Sequence, residues 1–252
     1  MTAPLFEVVR AAADGARVSV MLPPEAGPLR WYGATKFSGP NYLRSFHLAE
    51  AGQHEVVPSN ILPGASKRVY RRNGFDIVVY EAVDHSNGCL VFAGPYNEAT
   101  TWFGGPPPRA AVLNRIVSML TFIDSPTGAR VTAKPATNIQ QHGTMLVGSD
   151  ARMTVIARDA RSARDNVPVW RGRQHGDAEV WRIRQNLREE QAAKLAGTPF
   201  EWSYMFANST AVFDVSFRPE APPGALTPKS IVDRYENHVD TVLSGLKVIW
   251  AA

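Results

Sequence analysis

The chain has 252 residues, of which 44% are hydrophobic, 20% charged and 10% aromatic, the proportions of a globular protein and not of a disordered, collagenous or membrane-spanning one. Its 27 Lys and Arg against 23 Asp and Glu leave a formal charge of +4, too small by itself to imply nucleic acid. The single cysteine, Cys89, excludes an intramolecular disulfide and a four-thiolate metal site; no apolar run reaches the roughly 20 residues of a spanning helix, and residues 1–9 lack the basic and apolar regions of a secretory signal, so the expected location is cytoplasmic.

In chain order, strands are predicted over 18–22, 29–35, 42–48, 67–72, 75–83 and 89–93, with period-two alternation clearest in 42–48 and 75–80. Asn73-Gly74 and Asn87-Gly88 read as two-residue hairpin turns, because Asn and Gly accept the positive φ that such turns demand. The first sets Arg71 across from Asp76 as a charge pair, and the second sets Ser86 opposite Cys89. Residues 93–105 read as a long glycine-hinged loop whose Trp102 and Phe103 act as aromatic anchors. After Pro106-Pro107-Pro108, the apolar residues Val112, Leu113, Ile116, Met119, Leu120 and Ile123 keep one stripe and predict an amphipathic helix. A short strand over 129–131 follows, and the polar stretch 133–142 is the expected boundary between two halves.

The second half repeats the style, with strands expected over 144–147, 153–157, 167–171, 178–183, 202–206 and 211–217. A short helix is expected over about 184–196, with Gly197 as its stop. A longer one opens at Thr227-Pro228, with Thr as cap, and carries Ile231, Val232, Tyr235, Val239, Val242, Leu243 and Leu246 on one stripe before a last strand over 246–250. Strands followed by a helix, without βαβ alternation, predict an α+β fold: antiparallel sheets with helices packed on one face. Its two similar strands-then-helix lobes, 1–134 and 143–252, are equally compatible with one continuous domain.

Two groups of residues carry chemistry in this pattern. On the 75–83 strand, alternation puts Glu81 and His85 on one otherwise apolar face with Phe75, Ile77, Val79 and Val83. A carboxylate there is the acid, and an imidazole the base, of a cofactor-free cyclase, isomerase or hydrolase of specialised biosynthesis. Extended strand separates the two by roughly 13 Å, so they would flank a substrate without touching. The second group is basic. Residues 152–188 hold nine arginines against four acids, with Arg158, Arg161 and Arg164 at three-residue spacing and Arg171 and Arg173 at a hairpin tip with Trp170 and Trp181.

Guanidinium forks bind carboxylate and phosphate, and aromatic faces add buried contact area. The leading expectation is therefore a non-catalytic accessory protein that binds an acidic protein surface or an anionic small molecule through Arg158, Arg161, Arg164, Arg171, Arg173, Trp102 and Phe103. Nucleic acid is a lesser candidate for the same patch, since no nucleic-acid motif is present. The six histidines show no metal-ligand spacing, and phosphate-loop and dinucleotide motifs are absent, so neither metal nor cofactor is expected. Aromatic strand ends at Trp31-Tyr32 and Trp250 fit either a core or a homodimer interface. Arginine outnumbers lysine 21 to 6, the usage of a GC-rich bacterial genome.

Overall fold

A computed structural model describes residues 5–219 and 228–251. Along the chain the strands are β1 (Phe6–Ala11), β2 (Arg17–Leu22), β3 (Arg30–Gly39), β4 (Tyr42–Glu50), β5 (Ser66–Arg71), β6 (Asp76–Glu81), β7 (Gly88–Ala93) and β8 (Asn97–Phe103). Helix α1 (Ala110–Ser118) leads to β9 (Leu120–Ser125), β10 (Gly128–Ala133), β11 (Gln140–Ser149), β12 (Met153–Asp159), β13 (Arg173–His175) and β14 (Ala178–Arg184). Helix α2 (Glu189–Leu195), β15 (Trp202–Ala207), β16 (Ala211–Phe217), α3 (Pro228–Gly245) and β17 (Lys247–Ala251) complete it. The chain forms two compact units: unit 1 holds the described residues within 1–9, 18–31 and 147–252, and unit 2 holds 10–17 and 32–146.

In unit 2 the strands lie side by side in the order β11, β3, β4, β8, β7, β6, β5. Strands β6 and β7 are apolar on both faces, as strands must be when both faces are covered. One face sends Phe37, Phe46, Ile77, Val79, Leu90 and Phe92 into a core that α1 closes with Leu113, Ile116 and Val117, and the β9–β10 hairpin with Leu120, Phe122 and Val131. The opposite face sends Val78, Tyr80, Cys89 and Val91 under the connection from β4 to β5, where Val57, Leu62 and Ala65 meet them. The buried hydroxyls of Thr35 and Thr144 share a hydrogen bond of 3.0 Å, and the Gln141 side chain donates to Thr35 Oγ1 and to the Val131 carbonyl, each at 3.0 Å.

Unit 1 contains the order β13, β14, β15, β16, β12 and a three-stranded sheet β1, β2, β17. Its interior includes Val18, Val20, Phe206, Phe213, Val215 and Val248, with the Phe206 and Phe213 rings stacked 4.7 Å apart. Val239, Val242 and Leu246 of the α3 region are buried, as the apolar stripe requires. The expected cap, Thr227, and the side chains of Ile231, Val232 and Tyr235 lie outside the described residues. Among the described residues no helix is long and apolar enough to cross a membrane.

The α+β expectation is corrected by these elements: among the described residues 49% are in strands against 20% helical, and the architecture is mostly antiparallel β with few helices. Three segments account for the shift. The stripe from Val112 to Ile123 is helical only to Ser118; from Leu120 onward, Leu120 and Phe122 point inward while Thr121 and Ile123 point outward, in strand alternation. Spacings of three and one keep one helical face but fall on opposite faces of a strand, so the stripe marked the helix and not the strand that follows it; the run Leu-Thr-Phe-Ile, rich in β-branched and aromatic side chains, favours the pleat. Residues 97–103, read as part of a loop, are strand β8, paired on both sides. Conversely 167–171 is not a strand, and the expected helix near 184–196 shrinks to seven residues.

The Arg71–Asp76 pairing holds in register and as a 2.9 Å ion pair. The Asn87-Gly88 turn is longer than two residues, because Glu81 pairs with Gly88; Cys89 therefore faces Tyr80, not Ser86.

One carboxylate staples unit 2 together. Asp124 of β9 accepts from the Tyr96 N–H at 2.7 Å, from the Asn97 N–H at 3.2 Å and from Asn97 Nδ2 at 2.7 Å, tying β9 to the turn between β7 and β8. Asp124→Ala is expected to cost about 1–3 kcal/mol of unfolding free energy, since these donors lose a charged acceptor; the urea midpoint measures it, and an unchanged midpoint refutes the stapling role.

Candidate functional site

The acid and base expected on one strand are brought together. Strand β6 ends at Glu81, and His85 takes a left-handed backbone conformation, φ +59°, which folds its ring back over the strand end. His85 Nδ1 lies 2.7 Å from Glu81 Oε1, and Arg68 donates to Glu81 Oε2 at 3.2 Å. The 13 Å separation assumed an extended chain through residue 85, which the turn removes. The His85 side chain is 71% exposed and that of Glu81 21%, so the three form a solvated surface cluster.

Trp102 and Phe103 occupy successive positions of β8 and so point to opposite faces. Phe103 is buried in the core, under the Arg44 guanidinium at 4.6 Å, while Trp102 is exposed.

The five arginines divide into two groups. Arg158, half-buried on β12, binds Asp214 at 2.6 Å. Arg161 binds Asp159 at 2.9 Å, and that hydrogen-bonded guanidinium lowers the Asp159 carboxyl below its ordinary range. Arg164, Arg171 and Arg173 are exposed and have no acidic partner among the described residues. Between them Val169 is fully exposed, and Trp170 is 62% exposed.

Their backbone is held from behind. The Trp181 indole donates to the Trp170 carbonyl at 2.7 Å, and the Gly172 N–H donates to Glu179 Oε1 at 2.5 Å. A Cβ at Gly172 would stand 2.6 Å from the Val180 carbonyl and 2.8 Å from the Trp181 ring, so only glycine allows this close approach. Val167 packs down on Ala163, Trp181, Met205 and Val212. Beside the loop runs β13, which pairs with β14 and is exposed at all three residues.

Sequence patterning missed a buried polar cluster in unit 2. His54 Nδ1 and Glu98 Oε2 lie 2.6 Å apart, with side chains only 9% and 3% exposed. Glu98 is on the β8 face that points to the β4–β5 connection, and the turns Gln53–Val56 and Val57–Ile61 carry His54 over it. A buried carboxylate is tolerable here because the imidazole shares a proton with it. Beside the pair, the Tyr80 hydroxyl is buried without a partner among the described residues. Burial, then the nearby Cys89, Glu55 and Glu98, pushes that phenol up to about 12, and burial likewise pushes the Cys89 thiol to about 12. At neutral pH both hold their protons, which makes Cys89 a poor nucleophile. The separation of 44 positions between His54 and Glu98 hid this pairing from any local motif.

Two clefts accompany these features. One, of about 330 Å³, lies in unit 2 between the β5–β6 hairpin and α1. The other, of about 240 Å³, lies in unit 1 and includes Asp177 and Lys247, which form an ion pair at 3.1 Å. Neither is lined by Glu81 or His85. Among the described residues no three His, Cys, Asp or Glu side chains gather as metal ligands. No family model matches the chain, and no curated protein is similar to it.

The buried acids set an alkaline limit on stability. In the unfolded chain a thiol ionises near about 8.5 and a phenol near about 10, whereas Cys89, Tyr80 and Tyr42 are pushed up to about 12, chiefly by burial. Their folded pKa values are raised, so their contribution is intact below the unfolded values and is lost as pH rises through the folded ones. Urea midpoints are expected to fall between about pH 9 and 12, and Cys89 should resist iodoacetamide at pH 8 until the protein unfolds. Rapid alkylation of the native protein would contradict the burial argument.

Proposed function

We propose that this protein binds an acidic protein surface through the rim formed by residues 164–175 of unit 1. The observation that carries the reading is a projecting apolar pair, Val169 and Trp170, pinned from behind by Trp181 and Gly172 and flanked by three arginines with no acidic partner among the described residues. Apolar side chains that fold into their own protein do not normally stand fully in water, and Trp and Arg are the side chains over-represented at the centres of protein interfaces. Fixing the loop in advance lowers the ordering cost of association.

The arginines supply the sign of the partner. Arg158 and Arg161 already have carboxylates, whereas Arg164, Arg171 and Arg173 each retain a full fork for a partner's Asp or Glu. Strand β13 ends its sheet and has no partner strand on its outer side among the described residues, a geometry to which an extended acidic segment can add as a strand. Trp102 belongs to unit 2 and is not needed for this surface.

A fluorescent poly-glutamate peptide tests the reading by anisotropy. Wild-type protein should bind it, Trp170→Ala should weaken binding about tenfold, and Arg164→Glu with Arg171→Glu and Arg173→Glu should abolish it. Equal binding by wild type and both variants would reject the surface. Tighter, steeply salt-dependent binding of duplex DNA to the same arginines would assign it to nucleic acid instead.

A further inference from the structure

The geometry points to a small-molecule site in unit 2, the cleft between the β5–β6 hairpin and α1, and we propose that its ligand is a small apolar carboxylate. The walls are hydrocarbon: Ile77 and Val79 from β6 and Leu113 and Val117 from α1, each with 6% or less of its surface exposed. Folded interiors leave few voids larger than a water molecule, and at about 330 Å³ the cleft has roughly ten times a water's share of the liquid. Its size sits at the lower end of ligand pockets, which combine apolar walls with a few convergent polar groups.

Those polar groups stand at the rim. Tyr70, Arg72 and Asn114 line the cleft, are exposed, and engage no side-chain partner among the described residues. The neighbouring Arg71 is occupied by Asp76 at 2.9 Å, and the two charges offset each other. One unmatched guanidinium therefore faces the mouth, accompanied by a phenolic hydroxyl and a carboxamide, both able to donate. A fork with a single positive charge matches a monoanionic carboxylate, which it holds bidentately, while the apolar walls receive an aliphatic or aromatic body. The site is in a different unit from the proposed protein-binding rim and shares no residue with it.

The test uses the full chain and the fluorescent arenesulfonate ANS as reporter, displaced by octanoate or by octanol. ANS should bind saturably, and octanoate should displace it at least about tenfold more effectively than octanol, the difference made by one charged hydrogen-bonded contact. Arg72→Gln, an exposed turn substitution, should erase that preference while leaving octanol unchanged. Asn114→Trp, at an exposed helical position, should close the mouth and abolish displaceable ANS binding. The triple arginine variant of the 164–175 rim should behave as wild type, so failure of either reading leaves the other standing. Equal competition by octanol and octanoate, or unchanged octanoate competition in Arg72→Gln, would overturn the proposal.

Discussion

Burial of β6 and β7 on both faces is the constraint from which unit 2 is built. Alternate residues of each strand belong to different cores, Ile77, Val79, Leu90 and Phe92 to one and Val78, Tyr80, Cys89 and Val91 to the other. A strand pair of this kind is stable only where both faces are kept from water. Helix α1 and the β9–β10 hairpin cover the first face. The second is covered by the connection between β4 and β5, from which Val57, Leu62 and Ala65 reach it. The His54–Glu98 pair adds a further hold, and the same enclosure keeps Tyr80 and Cys89 protonated. Removing one partner would leave the other buried without its hydrogen bond, which costs more than the bond itself contributes.

The surface chemistry follows a different rule. Charges exposed to water contribute roughly 0–1 kcal/mol per pair to stability, so the exposed arginines of the 164–175 rim add little to folding. What distinguishes that rim is exposure on a backbone held from behind: the Trp170 carbonyl accepts from the Trp181 indole and the Gly172 N–H donates to Glu179. In unit 2 the cleft beside α1 combines the same elements in the opposite shape, with apolar surface recessed and one guanidinium at the edge. A projecting apolar pair suits another protein; a recessed apolar cavity suits a small molecule.

Much of this was legible in the sequence wherever a single period dominates. Strands β2, β4, β14 and β16 follow from alternation, β7 from a short apolar run, and the Asn73-Gly74 turn placed Arg71 across from Asp76, because turn chemistry sets register without help from the rest of the fold. The charge excess of 152–188 and its Trp170 are also plain in the sequence. Two features misled. Met119-Leu120 and Ile123 continue a helical stripe by spacing alone, and the small and polar side chains of 97–103 resemble a loop until strands β4 and β7 flank them. Strand propensity depends on neighbours in this way because cross-strand packing, more than the backbone, supplies its energy.

Local pattern thus determined which segments extend, where several hairpins turn and which stretch carries positive charge, since those properties depend on contacts between residues near in sequence. Tertiary structure alone decided the predominance of sheet over helix, the meeting of Glu81 with His85 through a left-handed turn residue, and the separation of Trp102 from Phe103 onto opposite faces. It also decided which arginines are neutralised: Arg158 meets Asp214 across 56 positions of chain, and His54 meets Glu98 across 44. Pairings at such distances depend on chain reversal and packing, and residue type at either position carries no record of the other.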